Sequence, residues 1–154
     1  LYNHTHTLYL LEQEILRARQ KDQPLAFAMI DIDEFKKVND TYGHPIGDRI
    51  LRSLSMFLKQ RLRKTDHIGR YGGEEFVAFL PECSIEGALA LAERMRLSIA
   101  LTAFEHDGQN IPVTASIGIA QFMATDTEHT LLKRADQALY RAKETGRNRC
   151  VLSD

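Results

Sequence analysis

Tryptophan is absent from this 154-residue chain, and cysteine and proline are scarce, with two and four occurrences. Cys83 and Cys150 lack metal-ligand spacing. A disulfide between them cannot be argued from sequence, so reduced thiols are expected. Long apolar runs are missing too: "LAFAMI" is typical of the longest and is far too short to cross a bilayer. No charged-then-apolar leader opens the chain. It starts "LYNHTHTLYLL" without a Met, so it is expected to be one domain, residues 1–154, excised from a longer multidomain protein. Excess charge of either sign is also lacking. With a formal net charge of -1, no basic field points to a nucleic-acid polymer as partner. A cytoplasmic domain is the reading that follows, although the parent protein could be membrane-anchored.

What is present supports a packed core. Hydrophobic residues make up 44% and charged residues 27%, ordinary values for one globular unit. Apolar residues at helical spacing predict a helix over 8–20, with Leu8, Leu11, Ile15 and Leu16 inward. "LAFAMIDI" reads as a strand buried on both faces and ending in acids. After a break around "NDTYGHPIGD", the stripe Ile46, Ile50, Leu54, Phe57, Leu58 and Leu62 predicts a long amphipathic helix. "HIGRY" and "FVAFL" read as hairpin arms, and Ser84 as the cap of a helix using Leu91, Ala92, Met95 and Ile99. "EHDGQN" is a turn and "IPVTASIGIAQF" a strand. A last helix over about 130–145 ends near Gly146, and "RCVLS" closes as a short strand. The fold class is therefore α/β (α+β), a central mixed or antiparallel sheet flanked by helices.

Chemistry concentrates in two stretches. "AMIDID" ends a buried strand on Asp31 and Asp33, and "RYGGEEF" sets Glu74 beside Glu75 at a turn too short to separate them. Each alone is a weak signal. Together they place carboxylates on one rim of a sheet, where Mg²⁺ takes one or two protein carboxylates and fills its other positions with water and phosphate oxygens. Such a rim suits phosphoryl or nucleotidyl transfer. Lys143 and Arg147, four apart at the last helix end, either complement the helix dipole or neutralise phosphate.

"DIDEFKKVNDTYGHPIGDRIL" followed by "RYGGEEF", "TASIGIA" and "ADQALYRAKETGRNR" resembles the GGDEF domain of bacterial diguanylate cyclases, over nearly the whole chain and in the expected order. The resemblance implies a nucleotidyl-cyclase or polymerase-palm-like fold. It also implies condensation of two GTP into cyclic di-GMP by a homodimer formed at least transiently, with Mg²⁺ (or Mn²⁺) as cofactor. Carried over by motif position, Asp31, Glu74 and the Ile32 carbonyl would hold the metal. Glu75 would act as a second-metal ligand or as an aid to deprotonation, and Glu74 is preferred as proton acceptor. Asn39 and Asp48 would read guanine, with His44 nearby. The amides of Glu34, Phe35 and Lys36 would meet phosphates at a helix start. Lys143 and Arg147 would face them, and Gly72 and Gly73 would admit the α-phosphate.

"RLRKTD" carries Arg63 and Asp66 in an R-x-x-D pattern that resembles the family's product-inhibition site, with Arg94 in the position of a further arginine. The bland alternative is a solvated ion pair. The resemblance weakens at the start, where His4 stands in place of an expected arginine and leaves the docking of the first helix open. "HTH" at 4–6 reads as incidental, and His67, His106 and His129 show no catalytic partners. Phe104, Phe122 and Tyr140 read as packing. Two competitors share the motifs: a silent cyclic di-GMP receptor, and an interaction module keeping them as relics. An upstream sensory or receiver region is expected.

Overall fold

The computed structural model describes residues 2–154. Its elements run α1 His4–Lys21, β1 Leu25–Ile32, α2 Phe35–Tyr42, α3 His44–Gln60, β2 His67–Arg70 and β3 Glu75–Pro81. They continue with α4 Ile85–Leu101, β4 Phe104–His106, β5 Gln109–Ile111, β6 Ala115–Gln121, α5 Glu128–Glu144 and β7 Cys150–Leu152. The main sheet has the order β2-β3-β1-β6-β7, and β4 with β5 forms a separate ribbon. β1 runs antiparallel to both β3 and β6, while β6 and β7 are parallel. The expected mixed, largely antiparallel sheet with helices around it is what forms.

β1 is buried along its whole length because both faces are covered. Ala26, Ala28, Ile30 and Ile32 pack with α2, α3 and α4, while Leu25, Phe27 and Met29 pack with α1 and α5. That two-sided burial explains why "LAFAMIDI" alternates so little. Gly118 of β6 sets how near α5 lies. A Cβ there would come within 2.2 Å of the Ala135 carbonyl oxygen and 2.3 Å of the Leu139 nitrogen.

Several boundaries differ from the sequence reading, each for a local reason. α1 starts at His4 because the Asn3 side chain accepts from the His6 N–H. Its buried face uses Thr7, Leu11, Glu14, Ile15 and Ala18, leaving Leu16 exposed. The segment after β1 is two helices hinged at Gly43, whose φ of 92° few other residues adopt. The long strand "IPVTASIGIAQF" divides around Pro112, with Ile111 ending the β4–β5 ribbon and Ala115 starting β6. α5 begins earlier than expected because Thr127 and Thr130 cap one another reciprocally.

Asp126, just before that cap, is 5% exposed. Burial alone would raise its pKa. Hydrogen bonds from Arg134, the Met123 N–H and Thr130 outweigh burial and hold the carboxyl below its usual value. Arg134 also donates to the Gln121 carbonyl at 2.7 Å and to the Ser153 hydroxyl at 3.1 Å. Replacing Arg134 with Met strands a buried carboxylate and is expected to cost about 2–4 kcal/mol in urea unfolding. The lowered pKa fixes the sign of the pH effect. In the parent the pair contributes fully above the unfolded Asp value of about 4 and is lost as pH falls through the folded value. The gap between parent and variant should therefore close in acid.

Candidate active site

β1 ends at the same sheet margin where the β2–β3 hairpin turns. Asp31 and Glu75 are cross-strand partners in the β1–β3 register. The Ile32 N–H donates to the Glu74 carbonyl at 3.2 Å, so strand end and acidic turn are tied by backbone. The turn is closed by Tyr71 N–H to the Glu75 carbonyl at 2.8 Å and by the Arg70 guanidinium on the Gly73 carbonyl at 2.7 Å. Asp31, Ile32, Glu74 and Glu75 therefore converge, as the motifs imply.

Asp31 is 5% exposed, and its Oδ1 is buried with no hydrogen-bond partner. Oδ2 accepts from the Lys143 ammonium on α5. Burial raises the Asp31 pKa, Lys143 opposes that rise, and the charges of Glu74 and Asp33 add to it. Burial raises Glu75 likewise, with repulsion from Asp31 next in size and relief from Lys143. An orphaned carboxylate oxygen in a field of like charge is a donor set that fits a hard divalent cation. Among the described residues, no three His, Cys, Asp or Glu side chains stand ready to hold an ion unaided.

The remaining candidates divide. Glu34 adopts φ 52° and provides no side-chain cap to α2, leaving amides of the first turn, at Phe35 and Lys36, without helical partners. Asn39 keeps a buried Oδ1 with no partner, and a Cβ on Gly47 would come within 1.9 Å of it, so Gly47 makes room for that amide. His44 and Asp48 are exposed on the first turns of α3. Gly72 and Gly73 have no positive φ, and nothing lies within 4 Å of a Cβ on Gly73. The fold itself therefore leaves open space beside that glycine.

Lys143 and Arg147 do not act as a helical pair. α5 ends at Glu144, and Gly146, Arg147 and Asn148 take φ of 129°, 63° and 46°, so the four-residue spacing no longer aligns the side chains. Lys143 turns to Asp31. Arg147 lines a cavity of about 430 Å³ with Asp33, Glu34, Lys37, Pro112 and Thr114.

Arg63 and Asp66 form a forked pair, with 2.7 Å between Nη2 and Oδ1, and Arg63 Nη2 also reaches the Pro81 carbonyl at 2.7 Å. The Asp66 side chain is fully buried and Arg63 half exposed, so the pair is not a freely solvated contact. Arg94 joins them around a cavity of about 220 Å³ with Leu80, Cys83 and Leu91.

His4 takes up the docking that was open. Its Nδ1 lies 2.9 Å from the Tyr71 carbonyl, and its ring stacks on Tyr71 at 4.5 Å. Gly69 lets Thr7 seat against β2, since a Cβ there would fall 2.0 Å from the Thr7 hydroxyl. His67 has a structural partner, the buried Glu14 at 3.5 Å, and stacks on Phe79.

The sequence reading put Asp33 on this margin beside Asp31 but missed its partners. Its Oδ1 accepts from Ser116 at 2.6 Å, and its Oδ2 from Thr114 at 2.7 Å and from the Asn148 N–H at 2.9 Å. The visible signal was the pair of hydroxyls two apart in "TASIG", on one face of a strand start.

An antiparallel-centred sheet with acids gathered on one margin beside an uncapped helix start defines a palm-like α/β domain. The chain belongs to the GGDEF domain family of diguanylate cyclases, whose family model matches residues 1–149. It is 45% identical over 139 residues to the diguanylate cyclase DgcP of Pseudomonas aeruginosa, covering 90% of this chain and 21% of that protein. It thus spans about a fifth of that relative's length. The active GGEEF domain of a diguanylate cyclase from Vibrio cholerae superposes with a TM-score of 0.94 at 35% identity, covering 100% of this chain and 98% of the other. The GGDEF domain of DgcB from Caulobacter crescentus, in complex with c-di-GMP, superposes at 0.96 and 28% identity, covering 99% and 91%.

Proposed function

We propose that this domain condenses two GTP into cyclic di-GMP, releasing two pyrophosphates, within a pair of facing domains. The observation that carries the reading is the buried Asp31 with one unpaired oxygen, bonded through its neighbour Ile32 to the turn bearing Glu74. Asp31, the Ile32 carbonyl and Glu74 would hold Mg²⁺, or Mn²⁺ in its place, with Glu75 as a further ligand. When bound, the ion supplies charge neutralisation at phosphoryl oxygens and a more acidic attacking hydroxyl.

The chain's own residues supply the rest. Asn39 and Asp48 hold the guanine edge, where a carboxylate accepts from N1–H and the exocyclic amine; His44 stands beside them. The first-turn amides of α2 and the Arg147 guanidinium hold the phosphate tail, and Lys143 keeps Asp31 ionised and oriented. The 3′-oxygen of one GTP forms a bond to the α-phosphorus of the other, and the bond from that phosphorus to the β-phosphate oxygen breaks. Pyrophosphate leaves, and the hydroxyl proton passes to a Glu74 carboxylate oxygen. The same exchange in the opposite direction closes the ring. Each domain holds one GTP, so two must meet. Arg63, Asp66 and Arg94 form the product-binding surface that restrains turnover. An upstream sensory or receiver region controls pairing in the parent protein, with this domain in the cytoplasm; no helix of the described residues is long and apolar enough to cross a membrane.

After removal of bound dinucleotide, the chain incubated with GTP and Mg²⁺ should yield cyclic di-GMP. The rate per domain should rise with protein concentration across the micromolar range. Product at a rate independent of concentration would exclude transient pairing. GTP left unchanged, by a chain that still binds added cyclic di-GMP, would identify a silent receptor.

A further inference from the structure

We propose that Arg96 on α4 is a positioning residue for substrate, acting through Asn148 to hold the Arg147 guanidinium at the phosphate cavity. The inference rests on the reading that Arg147 binds the phosphate tail.

Arg147 and Asn148 both sit at positive φ, 63° and 46°. Two successive non-glycine residues in the left-handed region are unfavourable unless their surroundings hold them there. Here nearly every backbone group of the turn is tied. The Arg147 N–H donates to the Ala142 carbonyl at 2.9 Å, closing the end of α5. The Asn148 N–H donates to Asp33 Oδ2 at 2.9 Å. The Arg147 carbonyl accepts from Arg149 Nε at 3.1 Å.

The outer side of the turn belongs to Arg96. Its Nη1 donates to Asn148 Oδ1 at 2.8 Å and lies 3.3 Å from the Asn148 carbonyl oxygen. Its other face is forked onto Glu93 Oε2, at 2.9 Å from Nη2 and 3.2 Å from Nε. Arg96 is thereby fixed on its own helix and presents one rigid nitrogen to the turn. Asp33 grips Asn148 from inside the sheet margin and Arg96 grips it from α4. Arg147, the adjacent residue, lines the cavity with Glu34 and Lys37 and, among the described residues, has no carboxylate partner within ion-pair distance. A cation outside the ion pairs of the described residues, on a turn held from two sides, is preorganised for an anion.

Arg96→Ala should raise KM for GTP about 5- to 10-fold with kcat changed less than about 2-fold, because phosphate contacts are made equally in ground and transition states. Binding of 3′-deoxy-GTP, which seats without reacting, should weaken by the same factor. Arg96→Lys, retaining one donor toward Asn148, should recover part of the loss, and it serves as the measured variant should Arg96→Ala fail to fold. Arg147→Ala should weaken binding at least as much. Adding Arg96→Ala to it should cost nothing further, since both act through one guanidinium. If Arg147→Ala leaves binding unchanged, the phosphate role of Arg147 is wrong. If Arg147→Ala weakens binding while Arg96→Ala does not, or if the two losses add, the positioning role of Arg96 is wrong.

Discussion

Glu74→Gln is expected to lower cyclic di-GMP formation by at least about 10³-fold while leaving the fold intact. Glutamine preserves shape and hydrogen bonding but removes the negative charge that accepts the proton and helps hold the cation. The structural role of residue 74 is played by its carbonyl, which receives the Ile32 N–H and does not depend on the side chain. Thermal unfolding of the variant should therefore match the parent to within about 0.5 kcal/mol, as for other partly exposed changes. The check is the initial rate of pyrophosphate release, with product confirmed by chromatography. Turnover at the parent rate would remove Glu74 from the mechanism and shift the proton to Glu75, whose carboxyl burial and the neighbouring Asp31 already make harder to ionise.

Gly118→Ala should give the largest loss of stability, at least about 3 kcal/mol, and with it most of the activity. The three atoms nearest the added methyl are all backbone of α5, including the Leu139 Cα at 2.9 Å. Backbone of a buried helix cannot turn aside as a flexible side chain can, so α5 must lift from the sheet. Lys143 rides on that helix, and lifting it withdraws the ammonium from Asp31. Urea unfolding measures the first effect, and turnover well below the unfolding midpoint measures the second. Adding Ala135→Gly should not rescue either one, since the contact is with the Ala135 carbonyl rather than its methyl. Recovery by that second change would mean the helix spacing is set elsewhere.

Much of this was legible from residue order. The acids at the end of β1 and at the hairpin turn were readable because a buried strand and a tight turn both punctuate the pattern strongly. Arg63, Asp66 and Arg94 were readable as a resemblance, and they line one cavity. What sequence obscured were features set by backbone or by distance along the chain. The divergence of Lys143 and Arg147 depends on where α5 stops, which three consecutive positive φ values decide. The split at Pro112 hid because β-branched residues flank it on both sides. Asp33 and Arg96 gained their roles from partners at Thr114, Ser116 and Asn148, which no local spacing connects to them. Nothing in the residue order singles out Gly118, whose purpose is visible only with α5 in place.

The account stands on Asp31 and Glu74 sharing one cation beside a bound nucleotide. Titration of Mn²⁺ into the chain saturated with 3′-deoxy-GTP, followed by loss of the free-ion paramagnetic signal, tests this directly. The parent should bind manganese, and Asp31→Asn and Glu74→Gln should each weaken it about 10-fold or more. Unchanged manganese affinity in both variants, with nucleotide still bound, would contradict it.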